Sequence, residues 1–118
     1  MEWTEGEVLI VGELEIRRAD HLARAGGRTL ALSLRELDVL VALARRTGHI
    51  VSRAELYAVV WGREWRPDDR SVDVYVHKLR TKLGAALPDW TYIHTHFALG
   101  YRLQPEPSHP FHTSATTR

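Results

Sequence analysis

The stretch from Asp68 to Leu83, DDRSVDVYVHKLRTKL, limits what this chain can fold into more than any other. Its apolar residues Val72, Val76, Leu79 and Leu83 fall at steps of four, three and four, the spacing of one buried stripe on an α-helix. Projection at about 100° per residue places Arg70, Val74, His77, Lys78 and Thr81 on the opposite side, with Asp73, Tyr75 and Arg80 on the flanks. The chain must therefore supply a core behind this helix and leave a cationic, hydrogen-bonding front outside it. Arginine, lysine and histidine interleaved with a β-branched methyl carrier suit the edges of bases in a DNA major groove. There, donors meet guanine and adenine acceptors and a methyl group meets thymine. The competing reading is a surface helix whose charges are merely solvated.

With 118 residues, the chain is expected to form one domain with ragged ends. Its 44% hydrophobic and 26% charged residues are those of an ordinary globular protein. No apolar run approaches the ~20 residues that span a bilayer, and the opening MEWTEGE is acidic where a signal peptide would be basic. A cytoplasmic location, with no membrane partner, is the expectation. The absence of cysteine excludes disulfides and thiolate metal sites. Net charge is only +1, but it is unevenly spread: residues 1–15 hold Glu2, Glu5, Glu7, Glu13 and Glu15 with no lysine or arginine, whereas Arg70, Lys78, Arg80 and Lys82 face Asp73 alone. One end of such a molecule can approach a phosphate backbone while the other stays away from it.

Four short strands are expected ahead of the helices: Val8 to Val11, Leu14 to Arg17, Leu22 to Ala25 and Thr29 to Leu32, with a turn at Ala19–His21 and a tight hairpin at Gly26-Gly27. Connections this short allow only antiparallel pairing. Ser33-x-x-Glu36 is a capping-box signature that opens a first helix of about fourteen residues, ending at Gly48. Ser52-x-x-Glu55 repeats the device for a second helix with Leu56, Val59 and Val60 inward and Gly62 as its stop. Ile50-Val51 reads as the hydrophobic staple of that second cap. Pro67 is expected to begin the third helix, with Asp68 and Asp69 at the positive end of its dipole. Trp61 and Trp65 bracket the loop before it. Beyond Leu87-Pro88-Asp89, the alternating WTYIHTHF and then Tyr101-Arg102-Leu103 read as a hairpin closed by Ala98-Leu99-Gly100. Residues 105–118, rich in Pro, Ser and Thr, are expected to be a disordered tail.

Strands, two tightly joined helices, a basic-fronted third helix and a hairpin are the order of a winged helix-turn-helix. The fold class expected is α+β, with an N-terminal four-stranded antiparallel sheet (8–32), three helices (33–84) and a C-terminal β-hairpin wing (90–103), after an acidic segment at 1–7. LSLRELDVLVALARRTGHIVSRAEL, the VWG at Val60 to Gly62, RSVDVYVHKLRTKL and the IHT…LGYRL of the hairpin resemble the OmpR/PhoB-type winged-helix effector domain of bacterial response regulators, over about Val8 to Leu103. The resemblance implies a third helix in the major groove and a wing at the adjoining minor groove. It makes Arg70, Ser71, Val74, Tyr75, His77, Lys78, Arg80 and Thr81 candidate DNA contacts on the third helix. Thr95, His96 and Phe97 become wing contacts, and Trp61 with Ser52 and Arg53 a backbone clamp. It further implies double-stranded DNA as partner, RNA polymerase contact through the 62–69 loop, head-to-tail pairing on direct repeats, and no cofactor. The chain departs from the family pattern in the wing, where Phe97, Ala98 and His94 stand in place of arginine, glycine and arginine. The receiver that precedes this module in the family is absent from the 118 residues, so the chain is expected to be either a piece of a longer regulator or a stand-alone version.

Two other readings compete. His94-x-His96 on one strand face, with His77 near, suggests a metal or general-base site, but no carboxylate or cysteine stands at ligand spacing. A winged helix that has become a protein-interaction module would use Phe97 and Trp65 as anchors. It would not need Arg70, Lys78 and Arg80 together.

Overall fold

In the computed structural model, which describes residues 6–108, strands β1 (Val8–Val11), β2 (Leu14–Arg17), β3 (Leu22–Ala25) and β4 (Arg28–Thr29) form one antiparallel sheet in that order. A 3-10 turn at Arg18–Asp20 joins β2 to β3. The fourth strand is shorter than expected and starts one residue earlier. One further bond, from Leu30 N–H to Ala23 O at 2.8 Å, prolongs its pairing, after which Ser33 is held by the cap of the first helix and the chain leaves the sheet. Val11, Leu14, Ile16, Ala23 and Ala25 are buried, so one sheet face feeds the core.

Both capping boxes form. Helix α1 (Leu34–Ala44) has the Ser33 hydroxyl accepting from Glu36 N–H, while Ser33 N–H donates to Glu36 Oε1 at 2.8 Å. Helix α2 (Arg53–Trp61) repeats this with Ser52 and Glu55, both bonds at 3.0 Å. Helix α1 has eleven residues, not about fourteen, because Thr47 Oγ1 donates to Ala44 O at 2.6 Å and the chain turns there. The buried face of α2 is Leu56 and Tyr57, with Val60 half-buried; Val59, expected inside, is 68% exposed. Positions 56, 57 and 60 share one face, and 59 projects about 100° from its centre. Ile50-Val51 forms a strand, β5 (Ile50–Val51), not merely a staple.

Helix α3 (Ser71–Ala86) buries Val72, Val76, Leu79 and Leu83, as its periodicity requires. It begins later than Pro67. Asp69 N–H donates to Arg66 O at 2.8 Å, the Trp65 indole N–H to Asp69 O at 3.2 Å, and Ser71 N–H to Asp69 Oδ1 at 2.8 Å. Pro67 thus serves the turn from Arg66 to Asp69, a position its fixed φ suits, and Trp65 is anchored rather than free.

The wing strands β6 (Trp90–His96) and β7 (Gly100–Pro107) pair antiparallel, and β5 adds to the other side of β7 to give the order β5-β7-β6. Gly100, at φ +144°, lies so close to β5 that a Cβ would come 2.1 Å from Val51 O; only glycine permits this approach. The tail expectation is corrected at its start. Pro105 to Pro107 belong to β7, and Ser108 N–H donates to Asp89 O at 2.9 Å. The register shifts between Thr91 and Ile93, so Pro105 lies where regular pairing lapses, the place a sheet tolerates proline. That shift also lets the consecutive Tyr92 and Ile93 both be buried. Residues 109–118, with the rest of the expected tail, and Glu2 and Glu5 of the acidic segment lie outside the described residues. Glu7, at the end of that segment, pairs with Arg45 at 2.7 Å.

Candidate nucleic-acid interface

Two populations of cations meet along α3. Arg70, Val74, His77, Lys78 and Thr81 are exposed, as the helical projection requires. Arg70 is the residue before the first turn, and its guanidinium makes no hydrogen bond to the described residues. Lys78 leans over the Tyr75 ring at 5.0 Å, which steers the stem and leaves the ammonium in solvent. Thr81 Oγ1 donates to His77 O at 3.1 Å, so its hydroxyl oxygen keeps its acceptor capacity. Val74 is 47% exposed. Ser71, half-buried, spends its N–H on Asp69.

Arg53, Arg80 and Lys82 are engaged internally. Arg53 Nε donates to Asp73 Oδ1 at 2.7 Å and its Nη2 to Tyr101 Oη at 3.2 Å. The Tyr101 hydroxyl donates to the same Asp73 oxygen. Arg80 Nε donates to Ile93 O at 3.2 Å and its Nη2 to Thr95 Oγ1. Both guanidinium groups lie over the Tyr101 ring, at 4.8 and 5.5 Å. Lys82 Nζ is 2.7 Å from both Ala31 O and Glu36 Oε1. Tyr101 is thus a post that ties α2, α3 and the wing together beneath the exposed row. Burial alone would raise the Asp73 carboxyl, but the bonds from Tyr101 and Arg53 and the charges of Arg53 and Arg70 outweigh it, so it lies below the usual aspartate range. Burial, then the Asp73 carboxylate, pushes the Tyr101 phenol up, which keeps it a donor.

Trp61 lies at the junction of α2 and α3. It stacks on Tyr57 with ring centres 4.9 Å apart and planes 9° apart, meets Tyr75 at 5.7 Å, and carries the Arg35 guanidinium over its ring at 4.9 Å. Arg35 also donates to Val60 O at 2.8 Å. At the start of α2, Ser52 uses its hydroxyl in the cap. On the wing, Thr95 is exposed and bonded to Arg80, Phe97 is 92% exposed, and His96 Nε2 accepts from Arg102 Nε at 3.0 Å.

His77, His94 and His96 do not assemble a metal centre. His94 Nε2 is 2.8 Å from Gln104 O, and among the described residues no group of three or more His, Cys, Asp or Glu is placed to hold a metal ion. Reading the sequence did not single out Tyr101 or Arg35. The first lay in the GYRL signature with no role attached, and the second had only its place in the first turn of α1.

Comparison with known proteins agrees with this geometry. A family profile described as "Transcriptional regulatory protein, C terminal" matches residues 27–103. The sensory transduction protein RegX3 of Mycobacterium tuberculosis is 33% identical over 103 residues, 87% of this chain and 45% of RegX3. The transcriptional regulatory protein CseB of Streptomyces avermitilis is 40% identical over 80 residues, 68% of this chain and 34% of CseB. The chain therefore spans less than half of the curated relatives it matches. Among solved structures, the DNA-binding domain of CpxR from E. coli aligns with TM-score 0.76 and 30% identity, covering 83% of this chain and 96% of that one. The Klebsiella pneumoniae RstA DNA-binding domain in complex with RstA box aligns with TM-score 0.76 and 32% identity, covering 85% and 99%. Fold, motif and profile together show that the chain belongs to the OmpR/PhoB-type winged-helix DNA-binding domains, the C-terminal family of transcriptional regulatory proteins.

Proposed function

We propose that this chain binds duplex DNA sequence-specifically as the output domain of a bacterial transcriptional regulator, with α3 in the major groove and the wing at the adjoining minor groove or backbone. The observation that carries the reading is the division of cations on α3. Arg80 and Lys82 are held by the protein itself, whereas Arg70, His77 and Lys78 stand exposed in one row with Val74 and Thr81. Lys78 and Arg70 meet bases or adjacent phosphates, and Val74 offers a methyl group to thymine. Thr95, held by Arg80, reaches the phosphate backbone. Trp61 with Ser52 and Arg53 at the start of α2 forms the clamp on the other side. The RstA domain, solved in complex with RstA box, supports duplex DNA as the partner here.

The 62–69 loop presents exposed Arg63, Glu64 and Arg66 above an anchored Trp65, which supports its role as the contact to RNA polymerase. Pairs of the chain bind head to tail on direct repeats. The family is one of transcriptional regulators rather than a class of enzymes, and the site of action is the cytoplasm; among the described residues no helix is long and apolar enough to cross a membrane.

Selection of bound fragments from a random duplex pool tests binding, sequence preference and repeat spacing at once. On the selected duplex, Lys78→Ala is expected to weaken specific binding by about 1–3 kcal/mol if Lys78 pairs with guanine, and to flatten the salt slope by about one if it meets only phosphate. Unchanged titrations for both Lys78→Ala and Arg70→Ala would remove the mechanism.

A further inference from the structure

The wing tip carries chemistry that the cationic row does not account for. Phe97 is 92% exposed and Leu99 60% exposed, yet their backbone is firmly built. Leu99 N–H donates to His96 O at 2.8 Å, Ala98 takes φ +65°, and Gly100 is seated against Val51. Beneath them Arg80 fixes Ile93 and Thr95. Phe97 follows two residues after Thr95, just past the end of β6. No lysine or arginine lies between His94 and Tyr101. The next cation, Arg102, is engaged with His96, Gln104 and Glu106. This tip has no cation to offer a groove, only apolar area on a rigid support.

We propose that Phe97, flanked by Leu99, is an apolar wedge that packs against deoxyribose and a base step in the minor groove beside the α3 site. The wing would then select a deformable step, such as pyrimidine–purine, in place of reading negative potential. The inference rests on the DNA-binding reading above. Side chains inserted from a minor groove partly unstack such steps, which cost least to open. Two apolar side chains are too small an area for a stable protein interface, whereas they lie next along the wing from Thr95, which Arg80 ties to the flank of α3.

The test uses the 118-residue chain and a duplex selected from a random pool, with 2-aminopurine placed in turn at each step on the wing side. Wild type is expected to brighten the probe at one step. Phe97→Ala should lose that signal and bind about tenfold more weakly, the order of one aromatic contact to a base, with an unchanged salt slope and circular dichroism. Phe97→Arg should recover affinity with a slope steeper by about one. A silent probe with wild type and a Phe97→Ala affinity within about twofold, while Lys78→Ala still weakens binding, would overturn the wedge and leave the α3 reading standing. Wild type that selects no duplex would overturn both, and a protein partner lost on Phe97→Ala with unchanged DNA affinity would reassign the tip to protein contact.

Discussion

Asp73 shows how one side chain decides which cations this surface can offer. It sits on the flank of α3 and draws Arg53 and Tyr101 onto one carboxylate oxygen. Tyr101 in turn lies beneath both Arg53 and Arg80. The carboxyl is held below its ordinary range in the folded protein, so the unfolded chain takes up the proton first as pH falls. Stability from this group is therefore complete above the unfolded aspartate value, about 3.9, and drains away as pH drops through the lower folded value. Asp73→Asn should cost about 1 kcal/mol near neutrality, discounted for partial exposure. It should also flatten the acid limb of stability measured by urea unfolding between about pH 5 and pH 2. An acid limb of unchanged slope would show that Asp73 is not the group responsible. None of this was legible beforehand: Asp73 read as a lone acid on a helix flank, and its partners lie 20 and 28 residues away in sequence.

Elements whose signals are local were the most legible. The stripe of α3 buried the four residues its spacing named, and both Ser-x-x-Glu boxes closed with the reciprocal bonds they foretold. Ser52→Ala should remove an acceptor from the start of α2 and cost about 1 kcal/mol in thermal unfolding. A change below about 0.3 kcal/mol would mean that water replaces the cap. Elements that depend on distant partners were not legible. A two-residue strand such as β5 has no period of its own and exists because β7 offers Val51 and Ile50 an edge. The late start of α3 depends on Trp65, whose indole bond to Asp69 no pattern announces. The ordered Pro105–Pro107 segment has the composition of a tail, yet the register shift opposite it absorbs Pro105. Among the candidate contacts, exposure on α3 followed from the helix period. The capture of Arg53 and Arg80 followed from the approach of the wing.

At the scale of the whole molecule, one buried cluster runs from the sheet through the helices to the wing. Tyr92 is its farthest tie: the wing hydroxyl accepts Glu13 N–H from the first hairpin at 2.8 Å. Tyr92→Phe should therefore lower Tm by about 4–8 °C for each kcal/mol lost, and far-UV signal and tryptophan fluorescence should still fall together. Separate transitions for the two probes would mean that sheet and wing are independent units. The same architecture keeps the acidic hairpins away from the front of α3. Arg70, His77 and Lys78 are exposed, so the described acidic residues ahead of the helices leave the cationic row uncovered; Glu7 pairs with Arg45 and Glu15 with Arg17. A thermodynamic cycle on the selected duplex isolates the contact of α3 with bases: it crosses wild type and Lys78→Ala with natural purines and their 7-deaza analogues, which lack the major-groove N7 acceptor. Substitution by 7-deaza at one purine is expected to weaken wild type by about tenfold, within the range of one base contact, and to leave Lys78→Ala unaffected at that position. An equal loss for both proteins, or no loss for either at any purine, would contradict a Lys78 contact with bases in the major groove.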